Sequence, residues 1–458
     1  MVSKPWLFLV LDKILIKIVK NDFCYLKPAK FGNYVVNLGN IVMLKNLFKQ
    51  ATLGALVAVA WAGPSAAADL MADFQKAMTY DPTFQTAVAE RQANQASATQ
   101  ARVSYLPEAS LSNQRMDNDT TTRQTARITM PLVDAGRFAT LRQAEPRAGF
   151  AEATFLVKTQ ELAIRLLKAA NAIILANENI ALNAAKMAAL DQQALAAKKK
   201  LELGQGTVTD LRDIEVKAAQ AKGQQLSYKT ALAVAVKQYA AITGERPNVK
   251  DFVLQQKERK LALKPSLEYV DSALQANPAL QAVRFSERVA ELEVEKSTGA
   301  LLPTVSATYS NSKAGDVTTS YSGVLVNMPL QVGSYYARQS VQANYLKAKE
   351  ATRDSEEKTR VEVEKLREQV ETGFEVLTVQ KNAIAAAELS LEANIKSYEG
   401  GVRSAVDILN ATQTVFQVKS DYVTTVTTQS EAILGLLTQS SLDVNDALGN
   451  AYKFLFAK

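Results

Sequence analysis

Residues 303–330 read PTVSATYSNSKAGDVTTSYSGVLVNMPL, and the alternation in this stretch decides the fold. Val305, Ala307 and Tyr309 would face one way and Thr304, Ser306, Thr308 and Ser310 the other, the period-two pattern of a strand with one apolar side. Val324, Val326 and Met328 repeat it against Gly323, Leu325 and Asn327. The polar segment 311–320 between them, with Gly315-Asp316, reads as a hairpin loop.

Outward from this hairpin the chain repeats itself. Asn277-Pro278 and Leu301-Leu302-Pro303 echo Asp81-Pro82 and Tyr105-Leu106-Pro107 at an offset of 196 residues. Asn327-Met328-Pro329-Leu330 echoes Thr129-Met130-Pro131-Leu132 at 198, and Gly401…Asp407-Ile408 echoes Gly204…Asp210-Leu211 at 197. Two repeats, 69–262 and 263–458, are expected, with a period far too long for a solenoid. The first should carry its own hairpin at about 107–132, with a loop at 117–122 and weaker alternation; the second hairpin spans about 303–330.

Around each hairpin the pattern is helical. A helix-forming stretch (69–105; 266–301) stops at Pro107 or Pro303, because the residue before a proline avoids the α region. After the hairpin comes a very long helical stretch, about 133–203 and 331–399. At about 1.5 Å per residue a 70-residue helix is on the order of 100 Å long, so it needs partners along its whole length. Val363, Val370, Leu377, Ile384, Leu391 and Tyr398 are spaced by seven, a coiled-coil seam; Leu167, Ile174, Ala181, Ala188 and Leu195 suggest the same in the first rod. Each rod ends at glycine, Gly204-Gln205-Gly206 or Gly400-Gly401, before a return helix (207–243; 404–457), so each repeat holds a helical hairpin.

The N-terminal segment is a separate matter. From Met43 the sequence reads MLKNLFKQATLGALVAVAWAGPSAAADL: a basic start, an apolar run and Ala66-Ala67-Ala68 as a cleavage site, which is a secretory signal at 43–68. Residues 1–42 read as an over-extended N-terminus. The leader, 1–68, carries eight Lys and two Asp of a chain whose net charge is +7, leaving +1 for the rest. A nucleic-acid partner therefore loses its electrostatic motive. The chain has no histidine, and its single cysteine, Cys24, lies in the leader, so histidine-based catalysis, cysteine metal sites and disulfides are excluded from 69–458. No cofactor or metal is expected.

Four strands cannot close a barrel, and left open they expose unpaired edges. Strands of about ten residues behind a secretory signal, with no apolar helix of spanning length, suggest a transmembrane β-barrel, which lipid forces to close. Two chains would give eight strands and a filled interior; three would give twelve and room for a channel.

At this point the residues resemble a known family. The duplicated unit, the paired hairpins and the two glycine turns look like the TolC family of outer-membrane efflux and secretion ducts, over essentially all of 69–458. The most specific match is Tyr398-Glu399-Gly400-Gly401-Val402-Arg403-Ser404-Ala405-Val406-Asp407-Ile408-Leu409-Asn410-Ala411, similar to the family's tip signature; Leu201 to Gly204 and Thr209-Asp210-Leu211 match its first-repeat version. The resemblance implies a mainly α fold with a small transmembrane β part, long antiparallel coiled-coil helices and two hairpins per chain. It implies a homotrimer forming a 12-stranded barrel in outer-membrane lipid and a long periplasmic α-helical tunnel. It implies an exit duct for type I secretion or multidrug efflux, working with a periplasmic adaptor (membrane fusion) protein and an inner-membrane ABC or RND pump. By the same resemblance Tyr398 and Arg403 would link to Thr209 and Asp210 and hold the periplasmic gate shut. Asp407 would ring the constriction, and the turns Gly204, Gln205, Gly206, Gly400 and Gly401 would meet the adaptor. The family often has a further aspartate where this chain has Asn410.

Residue chemistry leaves other readings open. Thr207-x-x-Asp210 and Ser404-x-x-Asp407 are capping-box-like, so a helix start accounts for both aspartates without a gate. Arg403 fits a solvated surface, Tyr309 and Tyr321 fit an interfacial aromatic belt or plain cross-strand packing, and Lys198-Lys199-Lys200 fits a helix C-terminus first and an adaptor contact second. No phosphate-binding loop or catalytic constellation appears, so an enzyme is not expected. A soluble periplasmic coiled-coil scaffold or adaptor protein is the competing function; it accounts for the helices and leaves the strands idle.

Overall fold

The computed structural model describes residues 69–115, 122–204, 206–254, 261–329, 332–400, 402–440 and 442–456. The leader 1–68, Gln205, Gly401 and the 117–121 part of the first hairpin loop lie outside the described residues. The element order is α1 (Leu70–Tyr80), α2 (Pro82–Arg102), β1 (Glu108–Gln114), β2 (Arg123–Val133), α3 (Ala135–Arg142), α4 (Ala144–Glu202) and α5 (Val208–Thr243). The second half runs α6 (Ser266–Ala276), α7 (Pro278–Gly299), β3 (Thr304–Ala314), β4 (Val317–Asn327), α8 (Val332–Glu399), α9 (Ala405–Gln439) and α10 (Val444–Phe456). None of these helices is long and apolar enough to cross a membrane.

Helices expected to run unbroken are broken where local chemistry offers a cap. The stretches 69–105 and 266–301 each turn at an Asp/Asn-Pro step. Asp81 accepts from Phe84 N at 2.7 Å, and Asn277 accepts from Ala279 N and Leu280 N at 2.9 and 3.1 Å, so each starts a new helix with proline in its first turn. These two polar residues are buried because each meets a partner. Arg165 grips Asp81 with two bonds of 3.0 and 3.1 Å, while the Asn277 amide donates to the main-chain and side-chain oxygens of Gln439. The first long rod is interrupted at Gln143, three residues before Pro146, whose missing N–H leaves the Arg142 carbonyl without a helical donor. The last helix is split after Gln439, and Asp443 restarts it by accepting from Asn445 N at 2.8 Å.

α8 spans 68 residues and α4 spans 59, about 100 and 90 Å of helix. α8 pairs with α9 and α4 with α5, as two helical hairpins, and α4 also packs on α9. Of the second-rod seam, Val363, Val370 and Leu377 are buried and Ile384, Leu391 and Tyr398 half-buried. The seam expected in the first rod holds only at Leu167 and Ile174; Ala181, Ala188 and Leu195 are exposed. The buried stripe there is Ala169, Ala176, Asn183, Leu190 and Ala197, also spaced by seven. The physical reason is a change of neighbours. Leu162 to Ile174 lie in the main core, wrapped by α1, α6 and α10, and two faces of α4 are covered. Farther along, a smaller cluster of Leu190 and Ala197 meets Ile214 and Ala221 of α5 and Leu409 of α9. Asn183 fits that seam because its amide donates to Ala221 O and to Gln225, both at 2.8 Å.

At the other end, α3 packs on α7 so closely that a Cβ on Gly299 would lie 2.6 Å from Gly136 N, which fixes the base of the sheet. The four strands form one antiparallel sheet in the order β1-β2-β3-β4. The halves are joined by β2–β3 pairing, with Arg127 opposite Ser310 and Met130 opposite Ala307. β3 and β4 extend farther than expected: the polar stretch 311–320 is mostly strand, and only Gly315-Asp316 turns, with Gly315 at φ 60°. Those polar residues pair across the hairpin, Asn311 opposite Ser320 and Ser312 opposite Thr319, so alternation alone could not mark their strand character.

Candidate functional site

Two regions stand out, the sheet and the turn end of the helical hairpins. Register sorts the sheet's side chains into two unlike faces. On one, Val305 lies opposite Val326, Ala307 between Met130 and Val324, and Ile128 between Ala109 and Tyr309. On the other lie Ser110, Arg127, Ser310 and Tyr321 in one row and Thr129, Thr308 and Gly323 in the next. On β1 and β2 the first face is apolar as far as the Leu111–Ala126 row, about 20 Å from the Val305 row. On β3 and β4 it turns polar sooner, with Ser322 opposite Tyr309 and Asn311 and Ser320 completing the Ala126 row, so the zone apolar on β3 is about 13 Å long, from Val305 to Tyr309. The second is polar throughout its middle. Tyr309 and Tyr321 fall on opposite faces, so they cannot share an aromatic belt. Tyr321 belongs to the polar face, where its hydroxyl accepts from Arg127 Nη2 at 3.4 Å. Both outer strands, β1 and β4, are exposed along their whole length, with one edge of each unpaired within the chain.

The turn end is built by two helix stops and two caps. α4 closes with Leu203 N donating to Lys199 O and Gly204 N to Leu201 O, and Gly204 at φ 69° takes the left-handed conformation that reverses the chain. α5 restarts on Thr207, whose hydroxyl oxygen accepts from Asp210 N at 3.1 Å and from the Thr209 hydroxyl at 3.0 Å. α8 closes with Gly400 N on Lys396 O, and Ser397 O takes both Val402 N and Arg403 N. α9 opens with a full capping box. Asp407 N donates to the Ser404 hydroxyl, while Ser404 N and its hydroxyl donate to the Asp407 carboxylate at 3.0 and 2.9 Å. Those bonds, the main-chain one foremost, then the hydroxyl and more weakly Arg403, hold the Asp407 carboxyl below the usual range.

The candidate gate residues are therefore brought to one end, although not into the links that were expected. Arg403 lies 3.8 Å from Asp407, an exposed pair of small energetic weight. Among the described residues of the chain, no hydrogen bond joins Tyr398 or Arg403 to Thr209 or Asp210. Tyr398 does sit close enough to Asp210 to feel it: burial first, and the Asp210 carboxylate second, push its hydroxyl pKa up. What touches Tyr398 directly is Lys200, with its ammonium 3.6 Å from the ring centroid and 3.2 Å from the Tyr398 carbonyl oxygen. The lysine run 198–200 showed a helix end; it gave no sign that its last member reaches the other hairpin. Around the turns Leu203, Val208 and Val402 are exposed, Val402 to 82%. No cluster of acidic residues suited to a metal occurs among the described residues.

The family model described as "Outer membrane efflux protein" matches residues 74–245 and 269–438, one stretch in each half. Outer membrane protein TolC of Vibrio cholerae is 24% identical over 438 residues, which is 89% of this chain and 99% of that protein. Alkaline protease secretion protein AprF of Pseudomonas aeruginosa is 25% identical, covering 78% of this chain and 82% of its own. Among solved structures, the outer membrane protein VceC of Vibrio cholerae superposes with a TM-score of 0.70 at 15% identity, over 82% of this chain and 96% of VceC. The CmeC outer membrane channel of Campylobacter jejuni gives 0.68 at 14% identity, over 94% and 98%, a likeness of fold. The two-faced sheet, the paired helical hairpins and the doubled family match agree: this chain belongs to the outer membrane efflux protein family.

Proposed function

We propose that three copies of this chain build one twelve-stranded barrel in the outer membrane and a helical tunnel in the periplasm, the exit duct of a secretion or efflux machine. The observation that carries this reading is a four-stranded sheet with two open edges and one apolar face. Lipid tolerates no unpaired strand edge, so β4 of one chain must pair with β1 of the next until the wall closes. Eight strands would be plugged by their own side chains; twelve leave a bore lined by the polar face. A soluble scaffold would leave the apolar face without a partner, which disfavours it.

At the periplasmic end, Thr209, Asp210, Tyr398, Arg403 and Asp407 form the gate, with Asp407 facing the axis once per chain. The turns at Gly204, Gln205, Gly206, Gly400 and Gly401 meet the adaptor protein, and exposed Leu203 and Val402 offer it apolar contact. Opening separates the α8/α9 hairpin from the α4/α5 hairpin, driven by an inner-membrane ABC or RND pump. The test is single-channel recording in planar bilayers. Wild-type protein from outer-membrane fractions should form channels, and Arg403→Ser and Asp210→Ala should raise their conductance. Unchanged conductance in both removes the gate. Wild-type protein that stays in the soluble periplasm and forms no channel removes the duct.

A further inference from the structure

We propose that Lys200 is a positioning residue of the closed tip, gripping Tyr398 by its ring face and main-chain carbonyl rather than by its hydroxyl. The inference rests on the gate reading above and names a contact that reading did not contain. α4 ends at Glu202, so Lys200 lies in its last turn, where a cation is favoured by the helix's own carbonyl end. Its side chain leaves that helix for another one. Tyr398 is in the last turn of α8, and its carbonyl is among the four that α8 cannot satisfy. Main-chain donors just beyond serve other carbonyls, Gly400 N going to Lys396 and Val402 N and Arg403 N to Ser397. The Lys200 ammonium takes the Tyr398 carbonyl at 3.2 Å and stands 3.6 Å from the centre of its ring. A cation from the last turn of one long helix thus meets the carbonyl end of the other.

Three further features make the contact a built one. Among the described residues Lys200 has no carboxylate partner to draw it away. The α4–α5 turn closes over the base of its side chain: a Cβ on Gly206 would be 3.2 Å from Lys200 Cβ. Lastly, α4 and α8 belong to different helical hairpins, so any movement that parts the hairpins at this end must break the grip. Arg403 does not compete for the ring, since it turns towards Asp407.

The test compares three variants of the full chain in planar bilayers. Lys200→Met keeps the aliphatic stem and removes the charge; Lys200→Arg keeps a cation; Tyr398→Phe keeps the ring and carbonyl and removes the hydroxyl. Lys200→Met should favour the open state by about fivefold per chain, the effect of one exposed cation–π contact. Lys200→Arg should stay within about twofold of wild type, and Tyr398→Phe should open the channel less than Lys200→Met does. If Tyr398→Phe opens the channel as Lys200→Met does, the hydroxyl carries the link and the proposal falls. If Lys200→Met is silent while Arg403→Ser opens the channel, it falls and the gate survives. A second readout is independent of pore formation. Both tryptophans, Trp6 and Trp61, precede residue 69, so Tyr398→Trp with those two changed to Phe carries a single indole. Adding Lys200→Met should change its emission in purified protein. Identical emission overturns the contact, whereas a change in a protein that forms no channels overturns only the duct.

Discussion

Ala307→Arg and Thr308→Arg place the same charge one residue apart on β3 and should differ sharply. Ala307 lies on the apolar face between Met130 and Val324; Thr308 lies on the polar face between Thr129 and Gly323. The apolar zone is about 13 Å long on β3 and about 20 Å on β2, and Ala307 sits about 7 Å inside its basal end. An arginine on the lipid face of a barrel costs about 2–4 kcal/mol at the midplane and about 0–1 at the interface. At this depth about 2 kcal/mol per chain is expected, or about 6 kcal/mol for three chains. No acidic side chain lies beside Ala307 on that face to relieve it. Beyond Thr308, Gly323 leaves open space where a side chain would stand, so Thr308→Arg should cost no more than about 0.5 kcal/mol. The assay is the fraction of oligomer that resists unheated detergent electrophoresis, followed through a urea titration of vesicle-reconstituted protein. Ala307→Arg should lower the midpoint and Thr308→Arg should not. Equal loss in both, or loss in Thr308→Arg alone, would refute the assignment of faces.

Asp81→Ala removes a helix cap and both bonds from Arg165. The cap is worth about 1 kcal/mol and the charged hydrogen bonds about 1.5–3, and because Arg165 is partly exposed the sum should fall near 3 kcal/mol by chemical denaturation. Asp81→Asn keeps the cap and should cost less, whereas Asn277→Asp turns a carboxylate against the two Gln439 oxygens and should cost more than Asp81→Asn; the reverse order would contradict these assignments. Ser404→Ala removes the hydroxyl that donates to Asp407, so the Asp407 pKa should move back up in a carboxyl NMR titration. A depressed folded pKa means that the tip gains stability above the unfolded aspartate pKa of about 3.9 and loses it as pH falls through the folded value. The variant should therefore loosen at a higher pH than wild type; an unmoved pKa would discount the capping box.

How much of this was legible in the sequence depended on whether a pattern was local. The strands at 303–330 announced themselves because apolar and polar residues alternate where one face of the sheet is apolar and the other polar. The same strands were cut short at 311–320, because beyond the apolar zone both faces are polar and alternation disappears. The Asp81-Pro82 and Asn277-Pro278 steps served as repeat markers, yet they are also helix breaks, a meaning that Asp or Asn before Pro carries on its own. The heptad through Ala181 and Leu195 misled because spacing by seven shows a stripe without saying which neighbour covers it. The buried stripe at Asn183 was masked by a polar residue whose partner lies on α5. The β2–β3 pairing that joins the halves, and the Lys200–Tyr398 contact across 198 residues, are long-range and left no periodic trace.

The claim on which the account turns is that sister chains complete the wall by pairing β4 of one with β1 of the next. With Cys24 ahead of residue 69, a chain with Cys24→Ser is free of thiols, so cysteine pairs can be placed on the two edges, one from β1 and one from β4, stepped through successive registers. Oxidised outer membranes should yield, at one register, covalent species that end at three chains. A chain that remains monomeric at every register, or a ladder that runs on beyond three, would contradict the account.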